Sequence, residues 1–314
     1  MTTIGRIQQC ILRALPKSGK TCLWLLKIIL PISLGVRLLQ YSGLLGEFSA
    51  LVAPAFSVIG LPGETAIVFI TSLFCPLYAP IALISSMSLG VREATILAIM
   101  CLVSHSLIVE SSVQAKTGSG FWEMTVLRVV MSFVIAFCLN MVMPRDGWGV
   151  IGAQVSAGDG DTLLDVLALW LTGSVKVTAT ILIIVTCLMA LHYVLEEFNL
   201  MKGLSKGLEP VMKVFGLPGD TAFLWLVGNL VGLAYGGAIM MEQVERKKLS
   251  AKSGNLLNYH LAVSHSLLED TIIFVAIGIP ALWIIVTRLM FAAAAVWLRR
   301  LWSLVANYYL SYKI

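Results

Sequence analysis

Gly216-Leu217-Pro218-Gly219-Asp220-Thr221-Ala222 heads a long apolar, glycine-rich run, and Gly60-Leu61-Pro62-Gly63-Glu64-Thr65-Ala66 heads another, 156 residues earlier. Six of the seven positions are identical, and the seventh exchanges one carboxylate for another. A second signature follows each copy. Ser104-His105-Ser106-Leu107 returns as Ser264-His265-Ser266-Leu267, now 160 residues apart. Glu110 matches Asp270 and Arg128 matches Arg288 at that same offset, so the second copy gained four residues between its signatures. An internal repeat of this length decides the fold before any single segment does.

Composition says where the repeat lives. Of 314 residues, 58% are hydrophobic and only 12% charged, about half the charge of a soluble domain. That much apolar surface needs lipid, so the chain reads as an all-α, polytopic membrane protein. The net charge of +5 is no pointer to nucleic acid, because in a membrane protein the placement of Lys and Arg counts for more than their sum. The six cysteines form no C-x-x-C and sit mostly in apolar runs, as small buried hydrophobes do. The apolar run nearest the N-terminus comes late and lacks a small-x-small site, so no cleavable signal is expected. Lys17-Ser18-Gly19-Lys20-Thr21 imitates the tail of a phosphate-binding loop, but Ala14 stands where its first glycine belongs.

Taken in order, residues 4–14 read as a surface helix and 21–42 as a first span, with a connecting helix at 44–59. Residues 62–86 are apolar but interrupted by Cys75-Pro76 and Pro80. Residues 218–241 are interrupted by Gly228, Gly232 and Gly236-Gly237. One such run alone reads equally well as a kinked span. Two at equivalent places mark re-entrant hairpins that line a site. Spans are expected at 92–113 and 121–143, and again at 174–195, 253–274 and 276–298. The domains are then a first repeat at 1–144, a Gly- and Asp-rich linker at 145–161, and a second repeat at 162–314 with its own surface helix at 162–172 and connecting helix at 200–215.

Three spans per repeat invert the second copy. Charge agrees. Residues 44–93 hold one basic residue, Arg92, whereas 202–252 hold seven (Lys202, Lys206, Lys213, Arg246, Lys247, Lys248, Lys252). By the positive-inside rule the two segments face opposite sides. Both termini then fall in the cytoplasm of a bacterial inner membrane and the linker falls outside, with Arg145 and Lys176 as exceptions.

The G-L-P-G-[ED] entry to a broken apolar run, followed by S-H-S-L and an acid, resembles the nucleoside-recognition or Gate family, one Gate per half. Relatives of that family include spore maturation proteins A and B, the membrane domain of ferrous-iron transporters and, distantly, concentrative nucleoside transporters. Glu64-Thr65 is similar to part of the Gln-Thr-Glu hairpin of nucleoside transporters, with Gly63 in place of the Gln. The resemblance implies an inverted-repeat membrane fold and leaves the substrate open.

Several polar residues lie in otherwise apolar sequence. Glu64 and Asp220 open the hairpins, where a carboxylate complements a helix N-terminus or contacts a ligand. His105 and His265 recur in both halves beside serines and an acid. Intramembrane ionisable groups point to function. His265 and Glu269 are four apart and would share a helical face, whereas Val109 stands opposite Glu269 in the first copy. Asn229 in the second hairpin answers to Leu73. Arg128 and Arg288 are expected to pair with Glu110 and Asp270, since lone charges there are costly. The expected solute or ion site is thus Glu64, His105, Asp220, Asn229, His265 and Glu269 around one cavity. His105 and His265 are the ligands if a metal binds.

The function expected is secondary transport of a small polar solute, nucleoside-like or other, with proton or sodium coupling. A divalent metal ion, or a non-transporting role in a membrane complex, are the alternatives. No enzyme chemistry is expected, since Ser-His-Ser offers no nucleophile geometry, and no cofactor. The partners are the lipid bilayer and the solute or ion, with a second copy or another membrane protein left open.

The charge asymmetry makes a direct prediction. In a background without the native cysteines, Gly158→Cys should react with an impermeant thiol reagent added outside intact cells, and Ser250→Cys should not. Labelling of both, or the reverse pattern, would overturn the inverted arrangement.

Overall fold

The computed structural model describes residues 3–151, 162–198, 200–230, 232–246 and 249–311. Its helices follow the repeat. The first half runs α1 (Thr3–Tyr41), α2 (Leu44–Val58), a 3₁₀ turn (Gly63–Thr65), α3 (Ala66–Phe74), α4 (Tyr78–Ser86), α5 (Val91–Ser104), α6 (Leu107–Ala115) and α7 (Phe121–Val142). The second runs α8 (Leu163–Glu197), α9 (Leu200–Val214), a 3₁₀ turn (Gly219–Thr221), α10 (Ala222–Leu230), α11 (Leu233–Glu245), α12 (Ala251–Ser264), α13 (Leu267–Val275) and α14 (Ala281–Ser311). The four extra residues are in α11, which has 13 residues against 9 in α4. Two short strands, β1 (Leu89–Gly90) and β2 (Val150–Ile151), pair antiparallel. Of the linker, 152–161 lie outside the described residues.

Among the described residues, α7, α8 and α14 are each long and apolar enough to cross a membrane, and α5 with α6 pass the same test as a pair. The protein is an all-α membrane protein. Each apolar run at 62–86 and 218–241 is a helix, a break and a helix: α3 and α4 part at Cys75–Leu77, and α10 ends at Leu230 while α11 starts at Leu233, after Gly232. Pro76 removes a backbone donor. Gly232 has φ +84°, which L side chains rarely adopt.

Two expectations need correction. The surface helix and the span after it are one continuous helix in each half, α1 of 39 residues and α8 of 35. Nothing in Lys17–Thr21 or at Gly173-Ser174 stops a helix, since a mid-helix glycine costs only about 1 kcal/mol. Packing of α1 on α8 offsets that along their length. Arg6 pairs with Glu197 at 2.9 Å, Thr186 donates to Ser18 at 2.9 Å, and Trp170 Nε1 donates to Ser33 at 3.0 Å. The spans expected at 92–113 and 253–274 are each two helices, broken at His105-Ser106 and His265-Ser266.

Backbone contacts divide the chain into two compact units, and each takes helices from both repeats. The first comprises 1–106, 132–197 and 270–284; the second comprises 107–131, 198–269 and 285–314. In the first, α5 is the core helix, with every residue from Thr95 to Ser104 at 0% exposure. Phe133 packs edge-on against Phe56 and Phe69, and Arg92 Nη2 donates to the side-chain and main-chain oxygens of Asn140, both at 2.7 Å.

In the second unit, Met212, Leu217, Trp225, Leu257, Leu261 and Val296 form the apolar core. A polar junction fixes α12 to the α6–α7 turn. Asn258 Nδ2 donates to Gln114 O at 3.1 Å and to Thr117 Oγ1 at 3.0 Å, while Gln114 Nε2 donates to Asn258 O at 3.0 Å. Gly254 permits that approach, because a Cβ there would collide with the Thr117 carbonyl. Gly254→Ala is therefore expected to destabilise the protein by about 1–3 kcal/mol, the usual cost of overpacking. Thermal unfolding in detergent checks this, with Gly203→Ala as the control: it meets open space inside α9 and should lose no stability, gaining up to about 1 kcal/mol from helix propensity.

Candidate functional site

The site grows from the way Ser-His-Ser ends a helix. In α12 the main-chain N–H of His265 still bonds Leu261 O at 3.0 Å, but ψ at His265 swings to 159°. Ser266 follows at φ +53°, an uncommon conformation for a non-glycine residue and a store of strain. Its N–H then leaves the helix and donates to Gly228 O in the hairpin at 2.9 Å. The first half repeats this. His105 N bonds Cys101 O at 2.8 Å, Ser106 has φ +45°, and Ser106 N donates to Ser72 O at 2.9 Å. In each half, therefore, the hairpin and the broken helix are tied by one main-chain bond.

A helix end leaves carbonyls without partners. At the end of α12, Arg288 supplies them. Its Nε donates to Val263 O at 2.8 Å and its Nη2 to His265 O at 2.5 Å. A fully buried guanidinium suits this end, where the helix dipole is negative.

The His265 ring is fully buried, and its Nδ1 lies 2.7 Å from Leu261 O. A carbonyl only accepts, so Nδ1 carries a proton and donates. That leaves Nε2, which is 3.0 Å from Glu110 Oε2. The same carboxylate oxygen takes Arg128 Nη2 at 2.5 Å. Imidazole, carboxylate and guanidinium thus form a buried row, with Arg128 at 0% and Glu110 at 9% exposure. The Nε2–Oε2 contact is a hydrogen bond only when one of the two atoms bears a proton. The arrangement can therefore hold or release one proton at a defined place. His105 fixes its tautomer in the same way, with Nδ1 3.2 Å from Leu102 O.

The other expected residues are placed as follows. Glu64 is half-buried and Asp220 exposed, each in its 3₁₀ turn, and neither makes a side-chain hydrogen bond or ion pair among the described residues. The turns are closed instead by Thr65 and Thr221, whose Oγ1 atoms donate to Pro62 O and Pro218 O, both at 2.6 Å. Asn229, beside Gly228, donates Nδ2 to Trp225 O at 2.9 Å, and its buried Oδ1 has no partner among the described residues. Glu269 is half-buried at the start of α13. It does not share a helical face with His265, because the helix breaks between them. The acid on His265 Nε2 comes from a different helix, as Glu110. Asp270 is buried, in the part of α13 that belongs to the first unit.

Sequence reading missed the Glu110–His265 contact, for which no spacing rule exists. It also missed His260, fully buried, whose Nδ1 accepts from Trp225 Nε1 at 3.1 Å. His260-x-x-x-Ser264 was the available signal, since Ser264 Oγ lies 2.7 Å from that nitrogen.

Residues 22–118 match the sequence profile described as Gate: Nucleoside recognition. The chain is 32% identical over 268 residues to the uncharacterized membrane protein YvoD of Bacillus subtilis (strain 168), covering 84% of this chain and 85% of that one. No solved structure matches.

The buried row predicts a coupled pair of stability effects. Arg128→Ala leaves Glu110 without its guanidinium and should cost about 3–5 kcal/mol. Adding Glu110→Gln should recover part of that loss. Thermal unfolding of the single and double variants measures the recovery, and a double variant no better than Arg128→Ala would mean the pair is not coupled.

Proposed function

The chain belongs to the nucleoside-recognition (Gate) family of membrane proteins, and on that premise we propose that it is a secondary transporter of a small polar solute and not an enzyme. The observation that carries this is the buried row of His265, Glu110 and Arg128 at a helix break. Structural stability alone does not call for ionisable groups there, since a buried ion pair is often no better than well-packed apolar side chains. Discontinuous helices that present ionisable groups inside the bilayer are how transporters expose a site without exposing backbone to lipid.

The proposed chemistry is one proton exchanged at the Nε2–Oε2 contact. With the proton present, imidazole and carboxylate are bonded and the end of α12 is held. With it gone, both atoms are acceptors and the contact is repulsive. Glu110 then keeps its pairing with Arg128, and His265, whose carbonyl is held by Arg288, can shift with the helix end. A solute that binds one of these two states better drives the exchange, and linkage makes the effect reciprocal. Asn229 Oδ1 is the acceptor offered to a solute N–H or O–H. The membrane proposed is the bacterial inner membrane, with both termini cytoplasmic.

Proteoliposomes test the reading. With a panel of radiolabelled nucleosides, uptake driven by an imposed pH gradient is expected in the native protein. His265→Ala should lose it, about a hundredfold or more as for other proton-transfer groups, when uptake is expressed per folded molecule, since removing a buried side chain also lowers stability. Uptake that persists in His265→Ala, or that ignores the gradient, would sink the proton-coupled mechanism.

A further inference from the structure

A cavity of about 540 Å³ opens in the second unit, away from His265 and its partners, where α12 and α7 begin beside α14. Its wall carries Lys252, Arg299 and Arg300 against one acid, Glu123. That acid is already committed. Glu123 takes Tyr259 Oη at 2.8 Å and the Gly120 N–H at 2.9 Å, and Arg299 lies 3.7 Å from it. Arg299 also donates to Asn255 Oδ1 at 2.9 Å. Lys252 and Arg300 are left with no ion pair among the described residues. The Arg300 guanidinium sits 5.6 Å from the Trp297 ring centroid, and its buried Nε has no hydrogen-bond partner among the described residues. Lys252 lies in the first turn of α12, where the helix dipole adds positive potential.

The depth of this cavity follows from α14. From Ala281, at 1.5 Å per residue, a hydrocarbon core of ~30 Å is crossed in roughly 20 residues, which ends at Arg299-Arg300. Beyond the basic pair, Leu301, Trp302 and Leu304 are exposed at 56–69%, as lipid-facing side chains are. A tryptophan belt and paired cations at one level are the chemistry of the headgroup layer.

We propose that this cavity binds the phosphodiester headgroup of an anionic phospholipid, with Lys252 and Arg300 on the phosphate, Trp297 on the hydrocarbon side of the basic pair against the start of the acyl chains, and Leu301 and Leu304 lining the headgroup layer. The volume lies within the range of small-ligand sites. An unpartnered buried donor and a surplus of cations select an anion, and the apolar flank selects one that carries a tail.

Lipid retention by the purified full-length protein, read by native mass spectrometry with added phosphatidylglycerol or phosphatidylcholine, tests the site. Phosphatidylglycerol should be retained preferentially. Its apparent affinity should fall about fivefold in Lys252→Gln and roughly 25-fold in Lys252→Gln/Arg300→Gln, since each juxtamembrane cation is worth about a factor of five. Lys20→Gln, an exposed cation of the first unit, should leave it unchanged. Lys252 is itself exposed, so the single variant is expected to fold normally. Equal retention of the two lipids, equal loss in Lys20→Gln, or unchanged affinity in Lys252→Gln would overturn the proposal. Full competition by millimolar inorganic phosphate would overturn the lipid assignment in favour of a soluble anion.

Discussion

A helix that stops inside a bilayer exposes main-chain groups that neither water nor lipid can satisfy, each at a cost of several kcal/mol. The rest of this structure depends on how that constraint is met. In each half, one bond from the serine N–H after the histidine to a carbonyl of the preceding broken run meets part of it, Ser106 to Ser72 and Ser266 to Gly228, and in the second half Arg288 takes the carbonyls of Val263 and His265. The bond requires a positive φ at a serine, so it stores strain where the helix breaks. It also requires the hairpin to stay in register, so a hairpin shift and a helix-end shift cannot occur separately. In the second half Gly232 lies against this junction, since a Cβ there would sit 2.6 Å from Ser266 Oγ.

Much of this was legible in the sequence, and the parts that were not share a cause. The repeated helix order, with one broken apolar run in each half, follows from Gly-Leu-Pro-Gly, the interrupting prolines and glycines, and the lengths of apolar runs. The breaks at His105 and His265 did not show, because no proline or glycine marks them. A continuous helix is what local propensity expects of Leu-Val-Ser-His-Ser-Leu, and the tertiary bond to the hairpin overrides it. The reverse error occurred in α1 and α8, where polar or small residues suggested boundaries that helix–helix packing removed. The ion pair of Glu110 with Arg128 is the pairing expected from charge alone. The third member, His265, comes from 155 residues further along the chain, and no local pattern could join them.

The pairs across the repeat show what the duplication has become. Positions 69, 73, 98, 100 and 114 of the first copy are Phe, Leu, Ala, Met and Gln; their counterparts 225, 229, 258, 260 and 274 are Trp, Asn, Asn, His and Phe. Four of the five changes place a hydrogen-bonding side chain in the second copy where the first is apolar. The fifth, Gln114, is the polar residue of the first copy that joins the second unit and bonds Asn258 there. Buried polar networks specify one packing when every member is satisfied, and among the described residues this one retains three orphans, Gln114 Oε1, Asn229 Oδ1 and His260 Nε2. An orphaned buried acceptor and an orphaned ring nitrogen each cost about 1–3 kcal/mol, which packing in the same core must offset. The first unit keeps its core helix almost free of such groups. Hydrogen-bonding capacity not spent on holding the fold is thus concentrated around α10 and α12, and a solute selected by hydrogen bonds would find its partners there.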